Sequence, residues 1–314
     1  MNAAPTRNLL LVHTPPFQDI ADWLGVCERI ACRAPDIEVR IVDNRHPDPA
    51  IADWQVTRPS LVFSPLILHR YRPPGGAVYA GQDIAKGAEA RRLAAAGLPV
   101  PWTARLTPAL RLDPAILGEH VIVKPAVGTL GKDVRLVPVA ELPARYPHLT
   151  ENGRRRMVVQ QFIDHVDESG HIYAYRVLTV LGEPLYLGEW RWAEKRRPLS
   201  EIAGDPAGII ASNARGIATH RRLIKPADVL ALAYRVGQAM GTIPCLGQDI
   251  VRQTGTGRLY VIETNPGGYT WHLSSRHSRR PGYDPAFAEA KYSQFGALDV
   301  VAEQLIARTR AEAR

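Results

Sequence analysis

The stretch from Gly247 to Gly268, GQDIVRQTGTGRLYVIETNPGG, constrains the fold more than any other part of this chain. Two apolar-rich runs, DIVRQ and RLYVIET, flank a Thr-Gly-Thr-Gly segment, which is the pattern of a β-hairpin with a short glycine-containing loop. A turn centred on Thr256 sets Asp249 directly opposite Glu263, and Asn265 projects from the same face because strand side chains alternate. Like charges directly opposite each other destabilise a sheet. Two carboxylates and a carboxamide oxygen together suit a hard cation, since Mg²⁺ takes oxygen ligands and is commonly held by one or two carboxylates alongside substrate phosphates. An exposed polar face, with the register shifted by one residue, fits the same residues.

At 314 residues the chain is long enough for two or three lobes. Its 46% hydrophobic and 22% charged content is that of an ordinary soluble globular protein. Cys27, Cys32 and Cys245 are odd in number and lack metal-site spacing, so they read as buried reduced thiols. The apolar run near the N-terminus is too short for a signal peptide, and no stretch approaches about 18 apolar residues. A cytoplasmic protein without membrane contact is expected. The formal charge of +8 favours an anionic partner, and the basic residues cluster at Arg154–Arg156, Arg191–Arg197, Arg215–Lys225 and Arg276–Arg280. No helix-turn-helix or zinc-finger spacing accompanies them, so nucleic acid is not the expected partner.

In chain order, residues 8–14, 37–43 and 60–68 read as buried strands, and apolar residues recur at helical spacing between Ile20 and Ala31. This order predicts a small open α/β domain with parallel neighbours and no dinucleotide fingerprint. Residues 70–81, RYRPPGGAVYAG, read as a Pro- and Gly-rich linker. A helix is expected over 85–97 with Lys86 in its first turn, another over 226–241, and a last one over 285–309 interrupted by Gly296. A hairpin over 175–192 turns at Gly182-Glu183-Pro184 and carries Arg176 and Arg191 in its arms.

Residues 121–137, VIVKPAVGTLGKDVRLV, place Lys124 at the end of one strand and Gly128, Thr129 and Gly131 in a loop before the next. Glycines let backbone N–H groups approach anionic oxygens, and a lysine offers phosphate a point charge. The spacing is not that of a Walker A loop. On composition alone, an ordinary glycine-rich hairpin with a surface lysine is the expected reading.

The ordered set of motifs resembles the ATP-grasp superfamily, within it the glutathione synthetase and α-L-glutamate ligase branch. Lys86 matches the first nucleotide-contacting lysine of that family, and Lys124-Pro125 with Gly128, Thr129 and Gly131 is similar to its K-P-x-x-G-S-x-G phosphate loop. The run VVQQFI, with Gln160, Gln161, Phe162 and Ile163, resembles the adenine-binding hinge. GEPLYLGEWR resembles the hairpin that ends in a phosphate-side arginine, here Arg191, and residues 213–216, NARG, resemble its N-x-x-G motif. Asp249, Glu263 and Asn265 match the D…E-x-N magnesium ligands. Ala85 and Ala174 stand where the family often carries acidic residues, which leaves Asp167 or Glu168 for the ribose. The segment after Asn265, PGGYTWHLSSRHSRRPG, departs from the glutamate ligases; His272, Arg276, His277, Arg279 and Arg280 there could bind an acidic substrate or form a solvated basic loop.

The resemblance implies an α/β (α+β) fold: an open α/β pre-ATP-grasp domain over 1–80, a small lobe with the phosphate loop over 81–165, and a C-terminal lobe with the metal hairpin over 166–314. It further implies ATP and one or two Mg²⁺ ions, which Mn²⁺ could replace, and a carboxylate–amine ligase working through an acylphosphate. The expected substrates are a small-molecule or peptide carboxylate, expected to be anionic, and an amine acceptor. A homodimer or homotetramer is usual in the family. Arg191, Arg176, Arg215 and Asn213 are expected to serve phosphoryl transfer. A small-molecule kinase on the same fold, or a non-catalytic nucleotide- or nucleic-acid-binding protein, are the alternatives.

Overall fold

The computed structural model describes residues 4–15, 17–128, 131–146, 157–205, 210, 218–267, 269, 271–275, 278 and 283–314. The first sheet holds β1 (Arg7–His13), β2 (Ile37–Asp43), β3 (Ser60–Ser64) and β4 (Ala77–Ala80) in the order β2-β1-β3-β4, all parallel. Leu9, Leu10, Leu11 and Val12 of β1 are all fully buried, as a strand covered on both faces requires. Helix α1 (Ile20–Arg33) starts where the Asp19 carboxylate accepts the Ala21 N–H at 3.0 Å, and α2 (Ala50–Gln55) follows β2. The expected burial of the cysteines holds for Cys245 and is overturned for Cys32, which is exposed on α1.

Strand β4 lies inside the segment whose composition reads as a linker. Its glycines permit close backbone approach rather than flexibility. A Cβ on Gly76 (φ +85°) would come within 2.3 Å of Ser60 Oγ, and one on Gly81 within 2.8 Å of the Leu66 backbone. Turn-like punctuation therefore hides a four-residue strand.

Helix α3 (Lys86–Ala95) leads into an antiparallel sheet of β5 (Thr103–Arg105), β6 (His120–Pro125), β7 (Arg135–Pro138) and β8 (Met157–Gln161), ordered β5-β8-β6-β7. The third sheet is antiparallel, with β9 (His171–Val180), β10 (Glu183–Lys195), β11 (Thr219–Leu223), β12 (Cys245–Arg252) and β13 (Leu259–Glu263) in the order β11-β10-β9-β12-β13. One of its faces packs on the helix Ala227–Ala239, joining Tyr175, Val177 and Leu187 to Val229 and Val236. There Gly237 presses on the β9–β10 turn so closely that a Cβ would lie 2.4 Å from Gly182 Cα. The other face packs on the first lobe, where Leu178, Val180 and Tyr186 share a core with Trp23 and Trp271.

The C-terminal segment is two helices, Pro285–Ser293 and Ala297–Glu312, separated by Gly296 in the left-handed region at φ +70°. The second returns to the first sheet, where the Arg314 and Ser60 backbones exchange hydrogen bonds of 3.2 and 3.3 Å. Among the described residues no helix is long and apolar enough to cross a membrane.

Candidate active site

The third sheet supplies a single cross-strand row. Gly188 of β10 pairs with Arg176 of β9, Arg176 with Asp249 of β12, and Asp249 with Glu263 of β13. Residues directly opposite one another share a face, so three charged side chains stand in line. The Asp249–Glu263 pair depends on an irregularity. Arg252, Val251 and Ile250 pair in regular steps with Leu259, Tyr260 and Val261, and an unbroken ladder would bring Ile262 opposite Asp249. The register shifts between Ile250 and Asp249, a β-bulge that delivers Glu263 instead.

Each carboxylate has a basic partner. Arg176 grips Asp249 with both ends of its guanidinium, Nε to Oδ1 at 2.6 Å and Nη2 to Oδ2 at 2.9 Å. Burial pushes the Asp249 carboxyl above its ordinary value, and Arg176 opposes the shift. Glu263 faces two ammonium groups, Lys86 Nζ at 2.7 Å from Oε1 and Lys124 Nζ at 3.9 Å from Oε2. Lys124 is buried rather than on the surface. Burial lowers its pKa, with Glu263 working against the shift and Lys86 adding to it.

Three chain segments bring these groups together. The start of α3 is tied to the end of β6 by the Lys86 N–H to Ala126 carbonyl bond of 2.9 Å, and Lys86 Nζ donates to the Gly128 carbonyl at 3.1 Å. The Gln82 N–H donates to the Pro266 carbonyl at 2.9 Å, fixing the same region to the end of β13. Asn265 Nδ2 donates to the Gly247 carbonyl at 2.8 Å, which leaves Oδ1 as the atom available to a cation. No group of three or more His, Cys, Asp or Glu side chains suited to a metal occurs among the described residues. The donor set here is two carboxylates and an amide oxygen, the chemistry a hard cation takes when phosphate oxygens complete its shell.

Sequence reasoning missed Glu89. It lies three residues after Lys86, on the same side of α3, and that spacing was the available signal. Buried, it accepts the Thr264 N–H between Glu263 and Asn265. Burial raises its pKa to about 7; the Thr264 hydrogen bond lowers it and Glu263 raises it further.

Other expected residues lie apart from this row. Arg191 pairs with Tyr173 and His220, out of step with the Trp190 and Gly188 positions, and its side chain holds Asp167 through Nε and Ser169 Oγ through Nη2 at 2.6 Å. Burial alone would raise the Asp167 carboxyl, yet hydrogen bonds from Arg191, His171 and Ser169 hold it well below the usual carboxylate range. Gln160 is buried and donates to Thr103 Oγ1 at 3.2 Å and to the Ile262 carbonyl at 3.3 Å. The Gln161 N–H bonds the Trp102 carbonyl, Phe162 packs beside Leu136 and Ile202, and Ile163 is buried. Gly131 adopts φ +68°. His272 Nδ1 lies 3.3 Å from the Tyr186 hydroxyl, and Trp271 is a core residue that donates to Asp22 at 2.7 Å. Thr129, Asn213, Arg215, Arg276, His277, Arg279 and Arg280 lie outside the described residues.

No protein-family model matches the chain, and no curated protein sequence matches it significantly. Solved structures do. The ATP-grasp ligase PsnB complexed with a minimal precursor superposes with a TM-score of 0.55 at 18% identity, over 97% of this chain and 100% of that one. The macrocyclase MdnC bound with precursor peptide MdnA, from Microcystis aeruginosa MRC, gives 0.54 at 14% identity over 96% and 99%. The D-cycloserine synthetase DcsG gives 0.50 at 18% identity over 95% and 99%. The chain has the ATP-grasp fold.

Proposed function

We propose that this ATP-grasp chain is an ATP- and Mg²⁺-dependent carboxylate–amine ligase that forms an amide bond through an acylphosphate. The observation that carries the reading is the meeting of Asp249, Glu263 and Asn265 with Lys86, Lys124 and Arg176 on one wall. The ATP-grasp ligase PsnB, solved also with Mg and ADP and with a precursor peptide, and the macrocyclase MdnC, solved with a precursor peptide, support a peptide or small-molecule carboxylate here. The reading includes lobes divided near 80/81 and 165/166, a cytoplasmic setting, and one or two ions that Mn²⁺ could replace.

Asp249, Glu263 and Asn265 Oδ1 would hold Mg²⁺, which when bound neutralises phosphate charge and orients the transferring group. Lys86 and Lys124 are the point charges for the phosphate tail. Each now shares Glu263, so both are already oriented toward the place where negative charge is handled. Arg176, fixed by Asp249, is the two-pronged donor nearest the carboxylate row and takes the phosphoryl-side role. Arg191 acts by orienting Asp167 toward the ribose. Gly128 and Gly131 flank a loop that would cover the phosphates and exclude water. A carboxylate oxygen of the substrate attacks the γ-phosphorus and ADP leaves. The amine nitrogen then attacks the acyl carbon, phosphate leaves and the amine loses a proton. No enzyme nucleophile is required.

The test is ATP consumption with Mg²⁺ and pooled amino acids, di-acids, short peptides and amines, with ADP and free phosphate measured separately. Equal ADP and phosphate, appearing only when carboxylate and amine are both present, is the expected result. ADP without free phosphate would leave the phosphoryl group on a product and make the chain a kinase. ATP turnover undiminished in Glu263→Gln would overturn the site assignment.

A further inference from the structure

Two cations outside the proposed phosphoryl-transfer row converge on one aromatic ring. Arg221, on the edge strand β11, pairs across from Trp190, and its guanidinium carbon lies 5.3 Å from the centre of the Tyr283 ring. Its Nε is buried without a hydrogen-bond partner. Lys291 Nζ stands 5.0 Å from the same ring centre and 5.4 Å from that of Tyr186. The Lys291 side chain is fully buried and donates to the His272 carbonyl and, at 3.0 Å, to Ser278 Oγ. Among the described residues neither cation forms an ion pair. Burial pushes the Lys291 ammonium down to about 7, Arg221 pushes it the same way, and Asp22 opposes them. Buried or half-buried cations ordinarily find a counter-charge. Among the described residues no carboxylate pairs with either one.

The cluster is continuous with the row of charged residues. Trp190 lies over Gly188, where a Cβ would meet its ring at 2.3 Å, and Gly188 pairs with Arg176. Phe287 meets the Trp190 ring edge-on at 6.2 Å. The strand of Arg221 is two strands from that of Arg176, roughly 10 Å across the sheet. We propose that Arg221, backed by Lys291 and floored by Trp190 and Tyr283, seats a second, non-reacting carboxylate of the substrate. The substrate class is thus a molecule with at least two carboxylates, one reacting beside Arg176 and one held at Arg221. Calling this ligand a substrate rests on the ligase reading; the anion site itself does not.

The test is calorimetric titration of the full chain, without ATP, by succinate, glutarate, adipate and pimelate and by the monoamide of each. At least one diacid should bind about tenfold tighter than its monoamide, the effect of one charge-assisted contact. Arg221→Gln should abolish that difference, Arg221→Lys should retain part of it, and Arg111→Gln, an exposed arginine that bonds only the Pro108 and Leu110 carbonyls, should leave it in place. Diacid and monoamide binding alike throughout the series, no binding by any diacid, or a difference that survives Arg221→Gln in a folded protein would each overturn the proposal. So would inorganic phosphate displacing the diacid from the Arg221 site with equal affinity. An Arg221-dependent preference in a chain that consumes no ATP would leave this site standing and refute the ligase. ATP turnover without the preference would do the reverse.

Discussion

Lys124 and Glu263 are expected to be strongly coupled, and a double-mutant cycle reads the coupling directly. Their charged atoms are 3.9 Å apart, with Lys124 4% and Glu263 26% exposed. At an effective dielectric constant of about 20 the attraction is about 4 kcal/mol. Desolvation offsets part of it, and Glu89 and Asp249 also act on Lys124. Glu263→Gln leaves a buried ammonium short of its nearest counter-charge, so it should destabilise by about 2–3 kcal/mol. Lys124→Met removes the need for that charge, and adding Glu263→Gln to it should cost little. The expected coupling is about 2 kcal/mol, measured by urea unfolding of the wild type, both single variants and the double variant at pH 7. A coupling below about 0.5 kcal/mol would refute the reasoning, because Lys124 would then be neutral or balanced by other acids.

Three further outcomes follow from the same physics. Lys291 has a folded pKa of about 7 against an ordinary 10.5, so between those values the unfolded chain binds more protons and stability should rise with pH, by up to about 1.4 kcal/mol per unit; Lys291→Met should flatten that slope in urea titrations, and an unchanged slope would contradict the burial argument. Gly188→Ala should displace Trp190, destabilising by about 1–3 kcal/mol and shifting the tryptophan emission, since the added Cβ would sit 2.3 Å from the ring. Glu89→Ala removes the acceptor of the buried Thr264 N–H and should lower stability by about 1–3 kcal/mol with ATP affinity reduced, as measured by unfolding and nucleotide titration.

Much of this molecule was legible in local periodicity. The continuous apolar run of β1, the 3.6-residue pattern of the helix Ala227–Ala239 and the glycine-loop hairpin each declare themselves within about a dozen residues. The hairpin placed Asp249 against Glu263 because alternation along a strand is a local rule. Yet that facing pair exists through the bulge beside Ile250; a regular ladder would have set Ile262 there. Strand β4 was hidden because glycine marks close backbone approach as readily as a turn. Composition alone could not distinguish a buried Lys124 from a surface one, nor show that Arg176 grips Asp249 while Arg191 holds Asp167. Which cation meets which carboxylate depends on how the start of α3, the end of β6 and the end of β13 pack together. Periodicity is carried by neighbours in the chain, whereas burial and charge neutralisation are set by groups far apart in sequence, and only the tertiary structure brings those into contact.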